Sequence, residues 1–215
     1  VVEPLVQGAG GMHFHDAATL RRLRSLADRY GLLLIFDEIF TGFGRTGTLF
    51  ACDAAGVVPD IVTLSKALTG GTLPLAATVA RQHVFDAFWS EDPKKALMHG
   101  PTYMGNALAC AAANASLDLF EREPRMEQIR SISEQLAREL WPCSGRSGVK
   151  DVRVKGAIGV VELDRIDNVE ALRAQFIDAG VFIRPFGNVV YLTPSFVIEP
   201  DELTRLTSAI VAAVM

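Results

Sequence analysis

The sequence predicts an α/β chain: a mainly parallel sheet with helices on its faces, followed by a smaller α+β domain. Three observations carry this expectation. Short apolar runs that read as buried strands alternate with stretches of helical periodicity over residues 1–122. Two of those runs end in a charged residue, at Asp37 and at Ser65-Lys66, with glycine-rich turns beyond. From Val152 the texture changes to strand, helix, paired strands and helix, which sets residues 123–215 apart as the second domain.

Taken in order, the glycine turn at Gly8–Gly11 precedes a stretch from Asp16 to Tyr30. There Ala17, Leu20, Leu23 and Ala27 recur at helical spacing, and Gly31 stands where a C-cap is expected. Leu32–Phe36 is a continuous apolar run bounded by Gly31 and Asp37, expected to be a strand buried on both faces. A glycine-rich loop spans Thr41–Gly47, and Ile61–Leu64 and Leu75–Ala80 read as further strands. Asn106–Glu121 is an alanine-rich helix, whose small side chains suit close packing on the sheet or on a partner. Pro124 breaks that pattern, and Met126–Leu140 follows with Ile129, Ile132, Leu136 and Leu140 on one stripe. After a linking loop at Pro142–Gly148 come a strand (Val152–Leu163), a helix (Val169–Ala179), paired strands (Val181–Ile183 and Val189–Thr193) and a closing helix (Pro200–Val214).

Composition excludes several classes. The 215 residues are 49% hydrophobic and 21% charged, with a net charge of −4. A chain of this size buries roughly 70% of its unfolded surface, enough for one large core or two modest ones. A slightly acidic balance argues against a nucleic-acid partner, and the apolar content argues against disorder. The mean hydropathy of +0.24 is high, yet no window reaches the ~18 apolar residues a membrane span requires. Cys52, Cys110 and Cys143 have neither an even count nor metal-ligand spacing; they read as buried free thiols in a reducing, cytoplasmic compartment. His13 and His15 lack a third ligand, so no metal site is expected. The opening Val1-Val2-Glu3-Pro4 reads as the middle of a strand, so the sequence is expected to be part of a longer protein.

Gly42-Phe43-Gly44-Arg45-Thr46-Gly47 matches the dinucleotide fingerprint GxGxxG, but its context fails. Only thirteen residues separate Gly47 from the strand at Ile61, and Gly56 and Pro59 interrupt them, leaving no room for a crossover helix. The stronger constellation is Asp37 with Lys66, an acid and an amine at the carboxyl ends of two buried strands. Ligands of open parallel sheets bind outside those ends, and neighbouring strands lie roughly 4.8 Å apart. An aspartate that keeps a pyridine nitrogen protonated, opposite a lysine that forms a Schiff base, is the chemistry of pyridoxal phosphate. Period two along the strand end places Ile39 on the same side as Asp37. Spacing alone leaves open that Asp37 caps a turn and that Lys66 is an ordinary surface lysine.

The literal residues add a resemblance. Ile35-Phe36-Asp37-Glu38-Ile39, Thr41 to Gly47, Ser65-Lys66-Ala67-Leu68-Thr69-Gly70-Gly71 and His99-Gly100-Pro101-Thr102-Tyr103-Met104-Gly105-Asn106 resemble the signature segments of class III aminotransferases. These are fold-type I enzymes that use pyridoxal 5'-phosphate. The resemblance covers essentially the whole chain and about the second half of the family's usual length. It implies a partial large domain (1–122) and the small C-terminal domain (123–215).

It also implies roles. Lys66 would be the catalytic residue, binding the cofactor and moving the proton between substrate and cofactor. Asp37 would pair with the pyridinium, and Ile39 would lie on the ring. Pro101 and Thr102 would meet the cofactor phosphate of a neighbouring subunit, making the enzyme a homodimer with a shared site. Arg184 would bind a substrate carboxylate, Gly100 and Tyr191 would line the substrate path, and Arg45 would either contact substrate or form a loop salt bridge.

Lys66 to Gly71, Pro101 to Met104, and Ile183-Arg184-Pro185-Phe186-Gly187 with Tyr191-Leu192 are similar to one branch of the class. That branch moves an amino group from S-adenosylmethionine to 8-amino-7-oxononanoate in biotin biosynthesis. Alternatives are another class III ω-aminotransferase and a non-catalytic dimerisation fragment. Ser65 stands where glycine is usual, Phe40 where a small residue is usual, and Ser195-Phe196 replaces Pro-Tyr; these departures bear on the donor and the pocket shape. The family's glycine-serine phosphate loop and ring-stacking tyrosine are not found in these 215 residues, which alone are expected to be poorly active or inactive.

Overall fold

A computed structural model describes residues 1–214. The chain parts into two compact units. The first comprises Val1–Val6, Phe14–Phe43 and Phe50–Glu123; the second comprises Gln7–His13, Gly44–Leu49 and the chain from Pro124 onward. The main passage falls between Glu123 and Pro124, and the two short excursions were not foreseen from sequence.

The elements follow in chain order. Two-residue strands β1 (Val6–Gln7) and β2 (His13–Phe14) pair with each other. Helix α1 (Ala17–Tyr30) is capped by the Asp16 carboxylate, which accepts from the Thr19 amide at 2.7 Å, and ends on Gly31 in the left-handed conformation. Strands β3 (Ile35–Asp37) and β4 (Ile61–Leu64) pair in parallel, with Asp37 opposite Thr63. Strand β5 (Ala77–Ala80) completes the sheet on the far side of β4, and the short helix α2 (Gln82–Asp86) follows it. Helix α3 (Ala107–Arg122) is capped by Asn106. Its buried Ala113 lies with Phe43, Leu64 and Leu68 in the core of the first unit.

Two strand expectations in this unit need correction. The apolar run begins as the exit of α1, not as a strand: Leu32 is 60% and Leu33 53% exposed. The Leu32 amide donates to the Ala27 carbonyl, closing the helix cap. Leu34 is held by Asp60, whose carboxylate accepts the Leu34 amide at 2.7 Å, so pairing starts only at Ile35. Strand β5 is antiparallel to β4, not parallel. The link between them is a 3-10 turn at Lys66–Thr69 followed by Gly70-Gly71. A parallel return needs a crossover, usually helical; the twelve residues between Leu64 and Ala77 form no α-helix, and the chain comes back antiparallel.

The second unit packs helices α4 (Arg125–Leu140), α5 (Val169–Asp178) and α6 (Pro200–Val214) with an antiparallel sheet of β6 (Val149–Lys155), β7 (Ile158–Leu163) and β8 (Val189–Leu192), in the order β6-β7-β8. The stripe foreseen on α4 is the one buried: Ile129, Ile132, Leu136 and Leu140 join Phe176, Val190 and Leu203 in its core. The single strand expected over Val152–Leu163 is a hairpin, turned at Gly156 with φ +53. The glycine that interrupts the apolar alternation was the signal for that turn. Val181–Ile183 is not a strand: the Val181 amide closes the end of α5 on Phe176, and Phe182 faces solvent. All three cysteines are free; Cys143 is buried, whereas Cys52 and Cys110 are half-buried. Among the described residues no helix is long and apolar enough to cross a membrane.

Candidate cofactor site

In the first unit, the carboxyl ends of β3 and β4 bring the acid and the amine to one end of the sheet. Asp37 closes β3, and Lys66 begins the turn three residues past Thr63, its partner on β4. Lys66 has φ +46, the left-handed region that costs a side-chain-bearing residue energy. Strain of that kind persists where surrounding structure imposes it. The turn is tied to α3, where the Ser116 hydroxyl donates to the Ala67 carbonyl at 3.1 Å. The Ser65 hydroxyl adds a bond to the Leu75 carbonyl at 2.7 Å. The Lys66 ammonium lies 5.1 Å from the centre of the Phe40 ring. Among the described residues it forms no ion pair, so its amine remains free for covalent chemistry.

Asp37 does cap a turn. One of its oxygens, Oδ1, accepts from the Ile39 amide at 3.0 Å. This fixes the carboxylate on the strand end and leaves Oδ2 without a polar protein partner among the described residues. An acid with a free oxygen and an unpaired amine, at and just past the ends of adjacent parallel strands, fit the two edges of a pyridoxal ring. Gly100, Pro101 and Thr102 lie in the exposed loop that leads to the Asn106 cap of α3.

In the second unit, Arg184 and Tyr191 line one groove of about 250 Å³ with Phe182, Pro194 and Leu206. Among the described residues Arg45 forms no salt bridge. Its guanidinium donates to the carbonyls of Ala157 (3.0 Å) and Pro194 (2.8 Å) and stacks 4.5 Å from the Phe196 ring centre. Burial lowers its pKa to about 10, still well above neutrality. The three departures from the family pattern thus each have a partner: Phe40 carries the Lys66 ammonium, Ser65 ties down Leu75, and Phe196 supports Arg45.

Two buried acids escaped the reading of the sequence. Glu38 is fully buried and accepts from Ala51 N (2.7 Å), Cys52 N (2.9 Å) and the Thr41 hydroxyl (3.2 Å). Burial pushes its carboxyl pKa up against the pull of those donors. The same burial, with Glu38 and Asp53 nearby, pushes the Cys52 thiol up to about 12, which leaves it unreactive. Asp60 is also buried; burial disfavours its charge, but the Leu34 amide and the Arg24 guanidinium at 2.7 Å outweigh that and lower its pKa. The only available signal for either was an acid set against an apolar run. Among the described residues no cluster of His, Cys, Asp and Glu could hold a metal ion.

Comparison with known proteins identifies the family. The family profile Aminotransferase class-III matches residues 1–214. The adenosylmethionine-8-amino-7-oxononanoate aminotransferase of Buchnera aphidicola subsp. Acyrthosiphon pisum is 46% identical over 210 residues, covering 98% of this chain and 49% of the relative. That of Mycobacterium leprae is 48% identical over 211 residues, covering 98% and 48%. Among solved structures, the same-named enzyme of Methanocaldococcus jannaschii superposes with a TM-score of 0.91 at 33% identity, covering 99% of this chain and 52% of its own. An amine transaminase from an uncultivated Pseudomonas species, in its PLP-bound form, gives 0.89 at 37% identity, covering 98% and 50%. The chain spans about half the length of the curated relatives it matches.

Proposed function

Starting from the fact that this chain belongs to the class-III aminotransferases, we propose that the protein moves an amino group from S-adenosylmethionine to 8-amino-7-oxononanoate, giving 7,8-diaminononanoate. The observation that carries the reading is the placement of Asp37 and Lys66 at the carboxyl ends of the adjacent parallel strands β3 and β4. The family's cofactor, pyridoxal 5'-phosphate, supplies when bound an electron sink that stabilises negative charge at the substrate Cα. Asp37 keeps the ring nitrogen protonated through a charge-assisted hydrogen bond, and Ile39 packs on the ring. The Lys66 Nζ holds the cofactor, then takes the proton from the substrate Cα and returns it at C4′. Arg184 receives the carboxylate of the oxononanoate in its guanidinium fork, with Gly100 and Tyr191 along the substrate path.

Pro101 and Thr102, ahead of the N-terminus of α3, serve the cofactor phosphate of a partner subunit in a homodimer. The apolar side chains exposed nearby, Leu97, Met98, Tyr103, Met104 and Leu108, support coverage of this stretch in an assembly. Three free thiols support a reducing, cytoplasmic compartment.

The test is amino transfer by the full-length enzyme to 8-amino-7-oxononanoate. Adenosylmethionine is expected to be the best donor. A second reading, a broader ω-aminotransferase, is favoured by the 37% identity to the Pseudomonas amine transaminase. Faster transfer from lysine or simple ω-amines than from adenosylmethionine would establish it instead.

A further inference from the structure

We propose that Glu38 is a positioning residue for the cofactor site: its buried carboxylate locks the end of β3 so that Asp37 is presented to the ring nitrogen. This deepens the assignment of Asp37 made above and rests on it. Glu38 follows Asp37 directly, and its backbone joins the two strand ends, because its amide donates to the Thr63 carbonyl on β4 at 2.9 Å. Its own carbonyl accepts from Gly42 at 3.0 Å. That turn is so tight that a Cβ on Gly42 would stand 2.9 Å from the Glu38 oxygen.

The side chain then gathers two distant stretches. Thr41 lies before the Gly44–Leu49 excursion, Ala51 and Cys52 lie after it, and all three donate to one carboxylate. Glu38 therefore closes the loop at its base, where the chain leaves the first unit and returns to it. The donors, two backbone amides and a hydroxyl, are neutral, and none is a cation. A buried carboxylate held only by neutral donors is costly unless every lone pair is used. A glutamine there would turn an NH₂ toward an N–H donor. The geometry thus calls for an acceptor on both oxygens, and it places that requirement one residue from the acid the cofactor needs.

The experiment uses the full-length enzyme reconstituted with pyridoxal 5'-phosphate, and it measures cofactor affinity by absorbance titration alongside thermal unfolding of the cofactor-free protein. Glu38→Gln is expected to weaken cofactor binding about tenfold, the effect of losing one charge-assisted hydrogen bond. Glu38→Asp, which keeps two acceptor oxygens, should recover part of that loss. In the Asp37→Asn background, Glu38→Gln should add little, because both changes act on the same contact.

Full multiplication of the two losses would overturn the inference, as would normal affinity in a Glu38→Gln protein that merely unfolds earlier. If Glu38→Gln does not fold, Glu38→Asp read in the same background decides. Failure of the underlying assignment looks different: Asp37→Asn would then bind the cofactor as tightly as the unaltered enzyme, whatever Glu38 does.

Discussion

Arg45 donates to the carbonyl of Pro194 at 2.8 Å, across 149 residues of sequence. With the bond to Ala157 and the Phe196 ring beneath it, this arginine is an internal tie of the second unit. Arg45→Met keeps the bulk but leaves two carbonyls without their donor. Hydrogen bonds to charged groups contribute about 1.5–3 kcal/mol each, so a loss of that order is expected in denaturant unfolding. Arg45→Lys should recover less than half, since an ammonium neither forks nor stacks.

Gly156, at the β6–β7 turn, tolerates no side chain. A Cβ there would stand 2.5 Å from the Arg45 carbonyl oxygen and against the Gly47 amide nitrogen, both backbone atoms that cannot swing aside. Overpacking of that kind costs about 1–3 kcal/mol, on top of the left-handed backbone. Gly187 has a similar φ, +56, but open space around it. Gly187→Ala should therefore cost only the roughly 1–2 kcal/mol of backbone conformation. Thermal unfolding of the two variants should rank Gly156→Ala well below Gly187→Ala.

Glu162 sets a pH dependence. A hydrogen bond from Lys150 at 2.6 Å, with Arg153 at 2.7 Å, holds its pKa below the ordinary 4.5. A depressed acid contributes stability that is present above pH 4.5 and is lost as pH falls through the folded-state value. Lys150 mirrors it: raised above 10.5, it contributes below that pH and loses its share as pH rises beyond. Unfolding curves of Glu162→Gln should therefore lie below those of the unaltered protein near neutrality and converge with them in acid.

Much of this was legible because helices announce themselves. Asp16, Gly31, Asn106 and the Ile129–Leu140 stripe lie where caps and cores must. Asp37 and Lys66 were legible because each ends an apolar run with a charge. The strands were less so. Leu32 and Leu33 look like sheet but complete a helix exit, and the Gly156 turn hid inside an alternating run, because local hydropathy does not report which backbone groups find partners. The burial of Glu38 and the internal bonds of Arg45 were not legible for a related reason. A charge that is buried by contacts distant in sequence has the same local signature as one in solvent.

The pairing of Asp37 with Lys66 around one pyridoxal ring is tested most directly by trapping. The full-length enzyme, loaded with pyridoxal 5'-phosphate, is reduced with borohydride, digested and mapped by mass. A phosphopyridoxyl group on Lys66 is expected, and Asp37→Asn should sharply lower its yield at limiting cofactor. A label on another lysine, or an unchanged yield without the Asp37 carboxylate, would contradict the pairing.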